Sequence, residues 1–293
     1  MNSKYKTIDQ LKHKYSVVDL CRILGVVRSS YYKFCKRAKN KKKEESAETA
    51  ILKEQIVTLY YKRKRTYGYR RITTELEKQY GVIVPPIMVY YLMNGMGLKA
   101  VIRKRRKNLL NQPKSAYIGH VYPNELDRQF SVDKPMKKWV TDITHLTISS
   151  TKYYLSVILD LFNNEVVSYK ISKLNDNYLV LETLKKAKGN QDITGVLLHS
   201  DQGHQYTSNA YHDLITTYKV KPSMSRKGNC IDNACIESFF SHFKEECLRI
   251  DQPTSEEELH TAIHDYIHFY NHERFQAKLN KLAPVEYRNQ LVS

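Results

Sequence analysis

The chain has 293 residues, and 48 Lys and Arg against 30 Asp and Glu give it a formal net charge of +18. That length accommodates two or three domains of ~100–200 residues, and 41% apolar with 11% aromatic residues excludes a wholly disordered chain. No run approaches the ~18 apolar residues of a membrane span, and the opening MNSKYKTIDQLKHKY holds no apolar signal segment, so a soluble, unsecreted protein with no membrane partner is expected.

The charge is uneven along the chain. Residues 1–115 carry 28 Lys and Arg and 8 Asp and Glu, a net of +20, while the remaining 178 residues carry 20 and 22. This describes a polyanion-binding front end joined to a nearly neutral body. Nucleic acid fits better than membrane, because the basic stretches are not amphipathic anchors and Tyr and Arg are interleaved through them. Cys21, Cys35, Cys230, Cys235 and Cys247 form no C-x-x-C pair, so reduced thiols are expected.

In VVDLCRILGVVRSSYYKFCKR (17–37), Val17, Val18, Cys21 and Leu24 recur at helical spacing and Gly25 supplies a turn. Ser29 or Ser30 then suits the cap of a second helix carrying Tyr31, Tyr32, Lys33 and Lys36. The order fits a helix-turn-helix, with Arg28 a DNA contact, and fits an ordinary basic two-helix hairpin as well. NKKKEESAE (40–48) reads as a linker.

A long helix is predicted from Ala50, with Ile51, Leu52, Ile56, Leu59 and Tyr60 on one side. Gly68 interrupts it. Ile72, Leu76 and Tyr80 mark a second helix ending at Gly81, and Pro85 with Pro86 opens a third that faces Val89, Leu92 and Met93 inward. Lys62, Arg63, Lys64, Arg65, Arg70, Arg71 and the run Arg103, Lys104, Arg105, Arg106 are candidate phosphate contacts, giving affinity that falls steeply with salt. The expected domains are 1–45 and 46–112, both helix-turn-helix-like, a linker over 113–129, and a body over 130–293.

In the body, KKWVTDITHLTI (137–148), KYYLSVILDLF (152–162) and EVVSYKI (165–171) read as three antiparallel strands. A helix over 177–188, with Leu179, Leu184 and Ala187 inward, leads to the strand GVLLHSD (195–201). Another helix (208–217), the strand KVKPSMS (219–225), the loop RKGNCIDN and a helix over 233–247 follow. The order βββαβαβα predicts an α/β fold with a mixed five-stranded sheet between helices, preceded by the all-α front end.

Three carboxylates stand out: Asp142 inside a strand, Asp201 at a strand end, and Glu237 near a helix start. Singly, each fits a cap or a solvated charge. Together, with Asp142 and Asp201 brought to one sheet edge by neighbouring strands and Glu237 laid across it by its helix, they would repel unless a cation neutralised them, and hard oxygen ligands with open positions suit Mg²⁺ or Mn²⁺. Two such ions can activate an attacking oxygen and stabilise a leaving one. Asp160 and Asp232 are competitors that spacing does not separate. His264, His268 and His272 share a helical face, but no Cys pair accompanies them, and a packed or surface helix face is expected.

WVTDITHL (139–146), LLHSDQGHQYTS (197–208), PSMSRKGNCIDNACIESFF (222–240) and YNHERFQAKLNKLAPVEY (270–287) resemble the catalytic half of insertion-sequence transposases made from two overlapping reading frames, within the retroviral-integrase superfamily of DDE enzymes. Asp142, Asp201 and Glu237 match the family's three acids, and the 35 residues between the last two match its D-(35)-E spacing. TYGYRRITTEL (66–76) and YYLMNGMGLKA (90–100) resemble the helix-turn-helix region before that domain. The resemblance implies an RNase H-like fold and cutting and joining of double-stranded DNA at element ends and target with two Mg²⁺ (or Mn²⁺) ions. It also implies at least a dimer when active, an upstream-frame protein or fusion as a possible partner, and a bacterial-type cytoplasmic location on the nucleoid. Arg226 and Lys227, before the helix of Glu237, are candidate phosphate contacts. Where the family often has basic residues at the start of the last front-end helix, this chain has Pro85, Pro86, Ile87 and Met88. The competing readings are a non-catalytic DNA-binding regulator or partner subunit, and a nuclease of the same fold that cuts without joining.

Overall fold

The computed structural model describes residues 2–40, 47–102, 119–189 and 191–292. The chain divides into two compact units, Met1–Arg63 with Tyr67–Lys99, and Lys64–Thr66 with Ala100–Ser293.

The first unit is helical. It begins with α1 (Asn2–Leu11), which its polar sequence does not announce; Ile8, fully buried, packs it onto α2 (Val17–Ile23) and α3 (Arg28–Asn40) through Leu20, Cys21 and Tyr31. Ser16 caps α2, its hydroxyl accepting from the Val18 amide at 3.2 Å. Val18 faces solvent instead of the core. The cap expected of Ser29 or Ser30 is absent: α3 already starts at Arg28, and the Val27 carbonyl accepts from the Ser30 and Tyr31 amides. The helix turns Tyr31 inward and leaves Arg28, Tyr32, Lys33 and Lys36 exposed.

Next come α4 (Ala47–Lys62), α5 (Tyr69–Tyr80) and α6 (Pro86–Gly95). The buried stripe of α4 is Leu52, Ile56, Leu59 and Tyr60, and Ile51, one position off that stripe, is exposed. Ile72 and Leu76 anchor α5, while Tyr80 in its last turn is exposed. Gly81 ends the helix at φ 65°, a left-handed conformation that only glycine adopts cheaply. Pro86 occupies the first turn of α6, whose missing N–H costs nothing there. Val89 and Met93 bury α6; its outward face shows Ile87, Met88, Tyr90 and Tyr91 and no basic residue.

The second unit is built on β1 (Lys138–Ile148), β2 (Thr151–Asp160), β3 (Val166–Ser172), β4 (Leu197–Ser200) and β5 (Lys221–Met224), in the order β3-β2-β1-β4-β5. β1, β2 and β3 are antiparallel, while β4 and β5 run parallel to β1, giving the expected mixed sheet. Ser149 and Ser150, at φ 45° and 72°, turn β1 tightly into β2. Helix α7 (Asn177–Lys188) carries the chain from β3 to β4 and α8 (Asn209–Thr217) from β4 to β5, the crossovers that parallel pairing requires. Leu179, Leu184 and Ala187 of α7 are buried.

After β5 the chain forms α9 (Ala234–Phe243), a π turn (Lys244–Leu248), α10 (Arg249–Asp251), α11 (Glu256–His272) and α12 (Pro284–Val292). The sheet separates two cores. Val140, Val157 and Leu159 face Phe239 and Phe243 of α9 and Ile263 of α11, whereas Trp139, Ile158 and Leu198 face α7 and α8. Each buried aromatic or aliphatic side chain contributes about 1.5–3 kcal/mol. Residues 119–129, read in the sequence as linker, belong to this unit. Leu126 is fully buried, the His120 amide donates to Thr207 at 2.8 Å, and the Met224 amide donates to Pro123 at 3.2 Å.

Candidate active site

The parallel pair β1–β4 decides the site. Its register sets Lys138 beside Leu197, Trp139 beside Leu198 and Val140 beside His199. Carried two positions further, it sets Asp142 beside Asp201, the first residue past β4, on strands about 4.8 Å apart. Both side chains are half-buried. Asp142 accepts from the Ile143 amide at 2.8 Å and Asp201 from the Gly203 amide at 2.8 Å. Glycine at 203 is required by that closeness, since a Cβ there would lie 2.8 Å from Asp201 Oδ1.

Near the two acids, in the core on the α7 and α8 side of the sheet, is Tyr206, buried and 3.3 Å from the Thr141 hydroxyl. Burial pushes its phenol well above the usual range, and the charges of Asp142 and then Asp201 push it further. One phenol thus feels both carboxylates. Tyr206 was not singled out in the sequence, where it is one of 23 tyrosines; its place five residues after Asp201 was the available signal.

Glu237 lies in the first turn of α9, exposed, while its neighbours Ile236, Phe239, Phe240 and Phe243 are buried. Helix α9 packs against β1 and contributes to the core that Val140 joins. By strand alternation Asp142 projects to that same face. Asp142 and Asp201 are therefore side by side and Glu237 is on the helix covering their face, but no group of three His, Cys, Asp or Glu among the described residues is gathered closely enough to hold a metal ion.

The two competitors are committed elsewhere. Asp160 is buried and accepts from the Met136 and Phe162 amides and the Trp139 indole; burial raises its pKa against those bonds. Asp232, fully buried, is held by Arg226, Arg128 and Asn124, and chiefly the Arg226 hydrogen bonds hold its carboxyl well below the usual range. His199 sits between the hydroxyls of Ser223 (2.9 Å) and Ser225 (3.3 Å), and burial lowers it to about 4, so it is neutral at pH 7. His268 and His272 stack at 4.6 Å and His264 meets the Tyr169 hydroxyl at 3.1 Å, without a ligand set.

The basic candidates divide by environment. Arg28, Lys62, Lys64, Arg65, Arg70 and Lys227 are exposed. Arg70 lies 5.6 Å over the Tyr69 ring, and Lys62 donates to Gln79 at 3.2 Å. Arg71, half-buried, stacks 5.1 Å over Tyr67. Arg63 pairs with Glu75 at 2.8 Å, their side chains only 10% and 4% exposed, which makes it a structural pair. Arg226 gives its Nε and one Nη to Asp232. Arg103, Lys104, Arg105 and Arg106 lie outside the described residues.

Two families described as Integrase core domain match residues 132–230 and 237–292, and one described as HTH-like domain matches 46–106. The putative transposase InsK for insertion sequence element IS150 of Escherichia coli is 37% identical, over 97% of this chain and 98% of its own length. The transposase InsF for insertion sequence IS3A of the same organism is 30% identical, over 98% of both. Among solved structures, the HTLV-2 integrase catalytic core domain in complex with magnesium is 21% identical, with a TM-score of 0.41 over 53% of this chain and 97% of that one.

Proposed function

The chain belongs to the integrase-core transposases of insertion sequences, and we propose that it cuts and joins DNA at element ends through Asp142, Asp201 and Glu237. The observation that carries this reading is the β1–β4 register, which aligns two aspartates from residues far apart in sequence. The donor set fits Mg²⁺ or Mn²⁺: side-by-side, half-exposed carboxylates, with no group of three His, Cys, Asp or Glu among the described residues to favour a softer ion. Asp142 and Asp201 would hold the ions, with Glu237 joining them from α9. Bound divalent ions, two in this reading, supply activation of the attacking oxygen and charge neutralisation at the leaving one.

The protein's own share is positioning. Gly203 lets the Asp201 carboxylate fold back onto its amide, and the buried Tyr206, close enough to feel both acids, stays a neutral neighbour. Tyr206 stays protonated beside two anions, so it cannot act as a base at neutral pH and cannot compete for the ions as a phenolate. The exposed basic residues of the first unit would grip the backbone of element ends and target without reading bases, since α6 turns no cation outward. Acting on two ends implies at least a dimer, alone or with an upstream-frame partner.

The test is strand cleavage and transfer on duplex DNA carrying the element's ends, with and without Mg²⁺. Asp142→Asn, Asp201→Asn or Glu237→Gln is expected to lose roughly 10³-fold or more, the value of about 4 kcal/mol of charge stabilisation, with DNA binding retained. A variant that cleaves like the wild type removes its residue from the site. A footprint with no metal-dependent cutting by the wild type would instead make the chain a DNA-binding partner subunit.

A further inference from the structure

Beyond the ions that Asp142 and Asp201 would hold, cationic side chains beside an acidic site help to seat a phosphate against its repulsion. Resting on the carboxylate reading above, we propose that Arg128 and Arg226 form a two-arginine clamp for a DNA backbone phosphate beside Asp201, and that buried Asp232 is the positioning residue that orients both guanidiniums.

The strand register places the clamp. Ser200 pairs with Met224, so one further step sets Asp201 beside Ser225 and the next sets Gln202 beside Arg226. The strands keep company past their ends: the Ser225 amide donates to Ser200 at 2.9 Å, and the Gln202 side chain donates to the Ser225 carbonyl at 2.9 Å. Arg226 therefore stands one residue beyond the row Asp142, Asp201, Ser225.

Asp232 is 0% exposed, and each of its oxygens is occupied from inside. Oδ1 takes Arg128 Nε at 2.9 Å and Arg226 Nη2 at 2.8 Å; Oδ2 takes Arg226 Nε at 2.9 Å, the Arg226 amide at 3.1 Å and Asn124 Nδ2 at 3.1 Å. The arginines are not buried with it: their side chains are 42% and 51% exposed. Asp127 stands near Arg226 as a second, exposed carboxylate, so the cluster is close to neutral overall; what it offers a phosphate is the outward N–H groups of two guanidiniums whose inward ones fix the rotamers. Arg128 arrives from another segment at a backbone cost, Asp127 and Arg128 both being left-handed at φ 37° and 59°. A loop staple alone would not need a second, half-exposed arginine held in that conformation.

The opposing account is that Asp232 merely neutralises the arginines, and the two differ in sign. With full-length protein and a random-sequence duplex, Arg128→Gln and Arg226→Gln are each expected to lower the salt slope of binding by about 1. Asp232→Asn is expected to cut the kcat of end cleavage about 10²-fold through misplaced guanidiniums, with no gain in DNA affinity. Tighter binding with a steeper salt slope in Asp232→Asn, or unchanged kcat, overturns the proposal. If that variant melts too low to assay, Arg128→Lys and Arg226→Lys keep the charge but lose the fork; a kept salt slope with reduced cleavage supports the clamp, and wild-type cleavage refutes it. Asp142→Asn runs alongside. Should it cleave normally, the carboxylate reading fails, while the salt slopes, which need no cleavage, still decide the clamp.

Discussion

The two units handle charge in opposite ways. In the helical unit the basic side chains of Arg28, Lys62 and Arg70 stand in water. In the sheet unit, whose sequence is nearly neutral from residue 116 on, several ions are turned inward as pairs: Arg274 with Glu246 at 2.7 Å, both side chains under 5% exposed, and Asp232 with its arginines. Exposed charge is worth little to stability and much to polyanion binding, whereas a buried pair is costly to break and contributes nothing to net charge. Net charge therefore shows on the surface of the first unit and conceals the ionic architecture of the second.

Four substitutions break or sharpen that contrast. Glu246→Ala leaves Arg274 charged in the interior and takes away the acceptor of the Tyr266 hydroxyl, so a loss of about 3–5 kcal/mol is expected in urea unfolding; a loss below 1 kcal/mol would mean the pair is not the anchor it looks. Gly203→Ala forces the Asp201 carboxylate aside by its contact at 2.8 Å, and about 10²-fold slower cleavage is expected with melting unchanged. Arg63→Ala tests the exception within the basic unit. Because Glu75 loses a charged donor at 2.8 Å, roughly 2–3 kcal/mol of destabilisation should accompany it, whereas a phosphate contact would show only in binding. Arg70→Ala, exposed, should leave stability within about 0.5 kcal/mol and lower the salt slope of DNA binding by about 1.

Much of the architecture was legible because local signals were strong. Gly81, Pro86 and the period-2 pattern around Asp142 set element boundaries that hold to within a few residues. The misreadings share a cause. Ile51, Val18 and Tyr80 are apolar at nearly helical spacing, and which edge of such a stripe is buried depends on the neighbouring helix. Segment 119–129 lacks periodicity and so reads as linker, yet Leu126 and Arg128 are fixed by contacts with residues about a hundred positions away.

Residue type and order alone established a basic front end, an α/β body and three acids worth watching, because charge, turn chemistry and hydrophobic period act over a few residues. Which acids stand together was settled by strand pairing. Asp142 and Asp160 belong to neighbouring antiparallel strands, yet Asp142 is aligned with Asp201, across a parallel pair joined by a long crossover. Likewise Asp232 differs from Asp201 only in its surroundings: two guanidiniums converge on one, and the other keeps a face to solvent. Burial and partners, which fix whether a carboxylate serves as a structural counter-ion or a metal ligand, arise only when distant segments pack.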